Sequence, residues 1–471
     1  MTIIQTSIGR RSFMKVSAMA GGGMVLGFSW LASCKPSPEQ TLAMPKEWFK
    51  INGFLKIGEN GVVTIQSPNP EIGQNVKTSM PMIVAEELGV DWKNVIVEQA
   101  PLDTTLFKRQ LAGGSQAIRQ GWESLRMAGA TANHMLREAA ATTWGVPLEE
   151  VTTSMGTIHH KPSGKTASYG EMASKAATLE VPKDVKIKDV KDFSIIGTSR
   201  RNVDGQKIVT GKPLYGLDIK REGMVIAMII HPPAFGMELK SYDDTAARAM
   251  PGIQDIFVLE TYKEDYPRIW ADTISFNKQI VIVGKTTWEV LQAKKAIKTE
   301  WIPFSGGKYN MVDFWQNAQE VAVPGGLESS AVHMTKMKDT GGKKIKVVRC
   351  DGNPYTAFDD AAKILERSYT APFLAHNTME PMNFFADVTD EKVELIGPIQ
   401  TPEYMEKSVS ARLGMPLEKI DIQMTRMGGG FGRRLYGHFL VEAAAISQKI
   451  KKPVKLVYTR EDDMTCGIYR P

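Results

Sequence analysis

Cysteine is scarce in this 471-residue chain, with Cys34, Cys350 and Cys466 making up the whole supply. An iron–sulfur cluster takes four thiolates, so the chain cannot hold one by itself. Cys350 and Cys466 could pair in an oxidising compartment, but nothing in the sequence brings them together, and free or buried thiols are expected. Net charge is also slight. Against 52 Asp+Glu stand 58 Lys+Arg, a formal +6, and Arg10, Arg11 and Lys15 of these sit in a leader without acidic residues. So small a balance argues against a nucleic-acid partner. Low-complexity tracts are absent, so disorder is not expected, and beyond the leader no apolar run is long enough to span a bilayer. Two phosphate-loop endings, Gly164-Lys165-Thr166 and Gly284-Lys285-Thr286, fail because His159 and Gln279 hold the required upstream glycine positions. What remains is a chain with 42% hydrophobic residues, enough for two to four domains with sizeable cores.

The strongest local signal is Met427-Gly428-Gly429-Gly430-Phe431-Gly432-Arg433-Arg434. Four glycines in five positions strip side chains from a turn, so that backbone N–H groups can approach a bulky anion. Arg433 and Arg434 would add charge. Residues 420–424 read as a strand before the loop and residues 439–450 as a helix after it, an arrangement suited to phosphate or a pterin. A dinucleotide fingerprint is excluded, because its third glycine would fall on Arg433. Gly113-Gly114-Ser115 precedes a predicted helix over 115–144, with Ser115 as its N-cap, and makes a second anion site. Gln74, in Gly73-Gln74-Asn75, precedes a predicted helix over 77–88 and can both donate and accept hydrogen bonds.

Along the chain, residues 1–33 pair Arg10-Arg11 with a glycine-interrupted apolar stretch and resemble a twin-arginine export signal. Leu31-Ala32-Ser33-Cys34 resembles a lipobox, which implies cleavage before Cys34 and a lipid-tethered chain in the periplasm. A linker over 34–47 follows. Residues 48–195 form a first unit, with a hairpin around Asn60-Gly61, a strand over 95–98 and a capping box at Ser168–Glu171. Its Lys-rich stretch 182–192 reads as a solvated linker. A second unit, 196–303, mixes strands near 224–230, 253–259 and 279–283 with helices near 245–249 and 287–298. A connection over 304–346 leads to a third unit, 347–471.

The glycine loop, Gln400-Thr401-Pro402, the segment from Ala375 to Met382 and Thr459-Arg460-Glu461-Asp462-Asp463 together resemble the molybdenum hydroxylase (xanthine dehydrogenase) superfamily. The similarity covers 48–471 and is greatest to the large subunit of isoquinoline 1-oxidoreductase and related periplasmic aldehyde dehydrogenases. It implies a mixed α+β and α/β multi-domain molybdopterin-binding fold, in which 196–303 is a hammerhead-like α/β domain and 347–471 the first molybdopterin-binding domain. The implied cofactor is molybdopterin cytosine dinucleotide, with no direct protein ligand to molybdenum. By this resemblance Gln74, Gly113, Gly114, Ser115, Gly429, Gly430 and Arg433 bind the cofactor. Gln400 would hydrogen-bond the metal's apical oxo ligand, and Phe431 and Gly432 would lie against its ligand sphere. Asn75 departs from the usual glycine and Lys77 from the usual histidine. Leu435 replaces the glutamate of purine hydroxylases, which argues against a purine substrate. His376 and Glu380 are expected to be structural supports.

The implied reaction places water-derived oxygen on an aldehyde or N-heteroaromatic carbon, with a glutamate as base. Electrons would leave to a small two-cluster iron–sulfur subunit and then a cytochrome acceptor. The family's glutamate base lies in a Gly-x-Gly-Glu segment beyond Pro471, and Gly326-Leu327-Glu328 is no substitute. A fragment, a split subunit completed by a second chain, or a degenerate product would each account for this. In every case the chain alone is expected to be inactive. Two other classes stand beside the enzyme: a non-catalytic ligand-binding lipoprotein or inactive fragment that retains the fold, and a nucleotide-binding protein.

Overall fold

The computed structural model describes residues 42–262, 268–272, 278–313, 317–323, 325–327, 329–340 and 346–470. The leader, Cys34, most of the linker and Glu328 lie outside the described residues. The unit Trp48–Pro471 holds every other position considered above.

Its first layer is a four-stranded sheet of β1 (Trp48–Lys50), β2 (Leu55–Gly58), β3 (Val63–Ser67) and β4 (Val95–Gln99) in that order. The β2–β3 hairpin turns at Gly61, whose φ of 82° is open to glycine at no steric cost. Between β3 and β4 runs α1 (Val76–Leu88), which packs on the long α2 (Ala117–Trp144). Val84, Leu88, Leu136 and Ala140 are fully buried between them. Each large aliphatic side chain there contributes roughly 1.5–3 kcal/mol. Gly129 permits the close approach, since a Cβ there would meet the Val84 carbonyl and the Leu88 backbone. The capping box predicted at Ser168 and Glu171 is present and opens α3 (Tyr169–Ala176).

The second layer is a seven-stranded sheet. In chain order its strands are β5 (Val225–Ile230), β6 (Ile253–Glu260), β7 (Lys278–Gly284), β8 (Asn383–Val388), β9 (Val393–Gly397), β10 (Ile420–Met424) and β11 (Val454–Val457), arranged β6-β7-β5-β11-β8-β9-β10. Strands from 196–303 and from 347–471 therefore share one sheet, joined by the parallel pair β5–β11 with Leu456 opposite Ala227. Alternation along β5 serves two cores: Val225, Ala227 and Ile229 join the main one, and Ile226 and Met228 the smaller one on the other face. Such strands read as continuous apolar runs because both faces are covered. The helix α4 (Pro402–Leu413) lies between β9 and β10, α5 (His438–Ile450) between β10 and β11, and α6 (Arg460–Thr465) follows β11. Phe439, Leu440, Val441, Ala444 and Ile446 of α5 are buried in the main core, as expected of a helix apolar nearly all round.

Three local expectations change. The stretch 182–192 is not merely solvated: the Lys188 backbone N–H donates to Glu87 at 2.9 Å and its ammonium to Glu86 at 2.9 Å. The connection 304–346 contains an antiparallel pair, Gly307–Val312 with Ala318–Val323, and an exposed helix, Ser330–Thr340. Ser115 is not an N-cap. It has φ 54°, and the cap position falls to Gln116 without a side-chain hydrogen bond. Cys350 is an exposed free thiol and Cys466 a buried one.

Candidate functional site

Four loops meet at the ends of β10, α1, α2 and α4. The glycine loop, residues 427–434, leaves β10 through left-handed positions at Gly429 (φ 99°), Phe431 (φ 51°) and Gly432 (φ 91°). Phe431 is not glycine, so its conformation is strained and must be imposed by its surroundings. The imposing group is Arg434, fully buried, which donates from Nε to the Gly429 carbonyl at 2.9 Å and from Nη2 to the Glu380 carbonyl at 2.6 Å. Glu380 completes the clamp by accepting from the Gly428 N–H at 2.8 Å. Burial, only partly offset by Glu380, pushes the Arg434 pKa down to about 10, which leaves the guanidinium charged at neutral pH. Arg433 is also turned inward. It is 1% exposed, with Nε 3.4 Å from Asp463 Oδ1. The charge expected to face an anion thus lies beneath the loop, because both arginines find carboxylates in the core.

The outer face of the loop is backbone. Among the described residues, the N–H groups of Gly429, Gly430, Phe431 and Gly432 have no acceptor, and the Phe431 ring projects with 70% of the residue exposed. The N–H groups of Gly113, Gly114 and Ser115 likewise have no acceptor among the described residues.

Gln400 rivets these two loops together. Its Nε2 donates to the Ala112 carbonyl at 2.6 Å, its carbonyl accepts from the Ala112 N–H at 3.0 Å, and its Oε1 accepts from the Arg434 N–H at 3.3 Å. One amide hydrogen of Gln400 is left for a further acceptor. A Cβ on Gly430 would lie 2.8 Å from Gln400 Oε1 and 3.2 Å from Ile72 Cγ2, so this glycine keeps the junction open. A Cβ on Gly113 would stand 3.1 Å from Leu435, whose apolar side chain walls that side.

Ile72 belongs to the loop that carries Gln74. Glu71, buried, organises it by accepting from the N–H groups of Gly73 at 2.7 Å, Asn75 at 3.0 Å and Lys77 at 2.9 Å. Its carbonyl accepts from the Met427 N–H at 3.0 Å and ties this loop to the glycine loop. Asn75 takes φ 69°, a conformation asparagine tolerates better than most residues. Gln74 folds back, donating to the Pro70 carbonyl at 3.2 Å and accepting from Ile72 N–H at 2.7 Å. Sequence reasoning passed over Glu71. The available signal was an acidic residue just ahead of a glycine turn whose N–H groups need an acceptor. His376 lies beside Gly432, 3.6 Å from a Cβ placed there, and burial followed by the Arg433 charge holds its pKa below the usual histidine value. It is neutral at physiological pH.

The structure therefore brings Gly429, Gly430, Phe431, Gly432, Gln400, Gly113 and the Gln74 loop to one junction. Unclaimed backbone donors, a glycine cradle and an apolar wall suit a flat ligand with anionic oxygens.

Two protein families, each described as a molybdopterin cofactor-binding domain, match residues 337–471 and 15–209. The chain is similar to the isoquinoline 1-oxidoreductase subunit beta of Brevundimonas diminuta, at 26% identity over 89% of this chain and 55% of that one. It is similar to the membrane-bound aldehyde dehydrogenase of Gluconacetobacter polyoxogenes, named as a pyrroloquinoline-quinone enzyme, at 25% identity over 99% and 57%. Among solved structures, the aldehyde oxidoreductase of Desulfovibrio gigas aligns over 64% of this chain and 35% of that one, with 16% identity and a TM-score of 0.41. The chain spans about half the length of the curated relatives it matches.

Proposed function

Because the chain belongs to the molybdenum hydroxylase family, we propose that it is the molybdopterin-binding part of an exported oxidoreductase. The substrates are aldehydes or N-heteroaromatics, and the cofactor is molybdopterin cytosine dinucleotide. The observation that carries this reading is the junction at Gly430, where Gln400, the Gln74 loop and two sets of unclaimed backbone N–H groups meet. When bound, the cofactor supplies two-electron oxidation with water as the oxygen source.

The chain's own residues hold and orient it. The N–H groups of 429–432 and 113–115 would hold its anionic oxygens, the free amide hydrogen of Gln400 would be offered to the metal end, and Phe431 and Leu435 would help to keep water out. Leu435 offers nothing to pair with ring nitrogens or oxygens, which argues against a purine substrate. Electrons leave through an iron–sulfur partner, since three cysteines cannot build a cluster. Export by the twin-arginine route and a lipid on Cys34 place the assembly at the periplasmic face of a membrane.

The test is co-expression with the iron–sulfur partner, followed by molybdenum analysis and identification of the nucleotide released on denaturation. One molybdenum per chain and a cytidine nucleotide are expected, and Gln400→Ala should lower both. A protein that carries neither, although folded and partnered, would leave a non-catalytic ligand-binding role.

A further inference from the structure

We propose that His231, Asp462 and Cys466 form a binding site for a single zinc-like divalent cation, separate from the cofactor junction. The three side chains are buried, and one ligand atom from each lies within 4.8 Å of the others. They come from two elements. His231 directly follows β5, while Asp462 and Cys466 stand four residues apart on α6 and its C-terminal cap, a spacing that sets both on one helical face.

Imidazole nitrogen, carboxylate oxygen and thiolate sulfur make a mixed donor set that suits zinc, and three protein ligands leave a fourth position for water. Tetrahedral bonds of roughly 2.0–2.3 Å hold ligand atoms roughly 3.3–3.8 Å apart, so the trio needs to contract by about 1 Å. Asp462 and His231 are nearly there, with His231 Nδ1 3.5 Å from Asp462 Oδ1.

Two of the three side chains are already held. Asp462 Oδ2 accepts from both the N–H and the hydroxyl of Thr459 at 2.9 Å, and the Asp462 N–H donates back to Thr459, a reciprocal cap that fixes the start of α6. The His231 ring packs edge-on against Tyr458, with centroids 4.8 Å apart. Two cations compete with a metal: the proton on His231, held against the effect of burial by Cys466 and Asp462, which must leave before the ring can ligate, and the ammonium of Lys294. Lys294 donates its ammonium to Asp462 Oδ1 at 2.6 Å, supplying positive charge to the carboxylate that a cation would share. Its long stem can withdraw toward solvent while the carboxylate stays in place. A bound ion would fasten α6 to the end of β5. Just past the Cys466 cap of α6 stands Gly467, where a Cβ would lie 3.0 Å from Arg433 Nε, so the fastening also fixes the floor beneath the glycine loop.

The test uses the full chain with Cys34→Ser and Cys350→Ser, leaving Cys466 as the sole thiol. After treatment with a chelator it is titrated with zinc chloride or cobalt chloride alone. One equivalent should bind, and the cobalt form should show thiolate-to-metal charge-transfer absorption. His231→Gln and Cys466→Ser should each weaken binding by at least roughly 10–100-fold, the scale at which even outer-sphere partners act, and the second should abolish the absorption. Lys294→Met leaves all three ligands intact and should tighten binding. The proposal is overturned if cobalt gives no thiolate absorption in either the sole-thiol protein or its Lys294→Met form, or if Cys466→Ser binds zinc unchanged.

Discussion

Buried charge is handled in opposite ways by the α1–α2 layer and by the floor of the glycine loop. In the first, Glu86 is fully buried and accepts from the backbone N–H groups of Ser194, Ile195 and Ile196 at 2.8, 2.5 and 3.0 Å, and from Lys188 at 2.9 Å. Its neighbour Glu87 accepts from Arg126 Nε at 2.6 Å and from the Lys188 N–H at 2.9 Å. In the second, all three guanidinium nitrogens of buried Arg433 and both ring nitrogens of buried His438 lack hydrogen-bond partners among the described residues. A native core leaves few such groups, and each needs a reason. The first region uses polarity as a staple and is complete in itself. The second partners Arg434 fully but leaves Arg433, whose Nε lies 3.4 Å from Asp463, and His438 without hydrogen bonds among the described residues, beneath a loop whose outer face is also unclaimed.

The largest effect should come from cutting the staple. Glu86→Ala leaves the N–H groups of 194–196 and the Lys188 ammonium without their acceptor, and should cost about 3–5 kcal/mol, read as a lower urea midpoint. Acid should act on the same point. Burial alone would raise the Glu86 pKa, but the bonds from Ile195, Lys188, Ile196 and Ser194 outweigh it and hold it below 4.5. A depressed carboxylate stabilises the fold above its unfolded pKa and loses that contribution as pH falls through the folded value. Urea midpoints should therefore decline on the acid side of about pH 4.5, and Glu86→Gln should flatten that decline. A curve of unchanged shape in Glu86→Gln would break the comparison at its first term.

Gly129 and Gly430 sharpen it, since the same added methyl meets different neighbours. At Gly129 it strikes the backbone of α1, which cannot yield, and Gly129→Ala should cost roughly 1–3 kcal/mol in thermal or urea unfolding. At Gly430 it presses on the Gln400 amide and on Ile72, both side chains. Gly430→Ala should cost less, about 1 kcal/mol, and should instead lower the molybdenum and pterin retained by the partnered protein.

These contrasts also mark what was legible in the sequence. The Asn60-Gly61 hairpin, the Ser168 capping box and the strand–glycine–helix run at 420–450 are set by neighbouring residues, so local chemistry reveals them. The contact that fixes the 113–115 loop is not local, because Gln400 holds Ala112 just ahead of it. Arg433 reads as exposed charge until Asp463 is seen beneath it, and the Lys-rich 182–192 stretch reads as solvated until Glu86 and Glu87 are placed opposite. The parallel pairing of β5 with β11 joins the first and last strands of the seven-stranded sheet in chain order at its centre, and leaves no trace in either segment. Sequence thus displays the loops of the junction, and the folded chain shows which side of each loop is spent on the protein and which is left over.

The smallest expected effect is also the sharpest discriminator. Burial first, then the charges of Arg433 and His231, hold the His438 pKa well below the ordinary histidine value, so its ring is neutral at physiological pH. A neutral ring with two unpartnered nitrogens in the core contributes packing area and little else, while its desolvation opposes folding. Leucine has similar bulk, no polar atoms and better helix propensity, and His438 is the first residue of α5. His438→Leu should therefore leave the urea midpoint within about 1 kcal/mol of the parent, or raise it. A loss of more than about 2 kcal/mol is the signature of a lost buried hydrogen bond. That result would mean His438 is as fully partnered as Glu86, and the floor of the loop would then be one more staple rather than a region held open for a ligand.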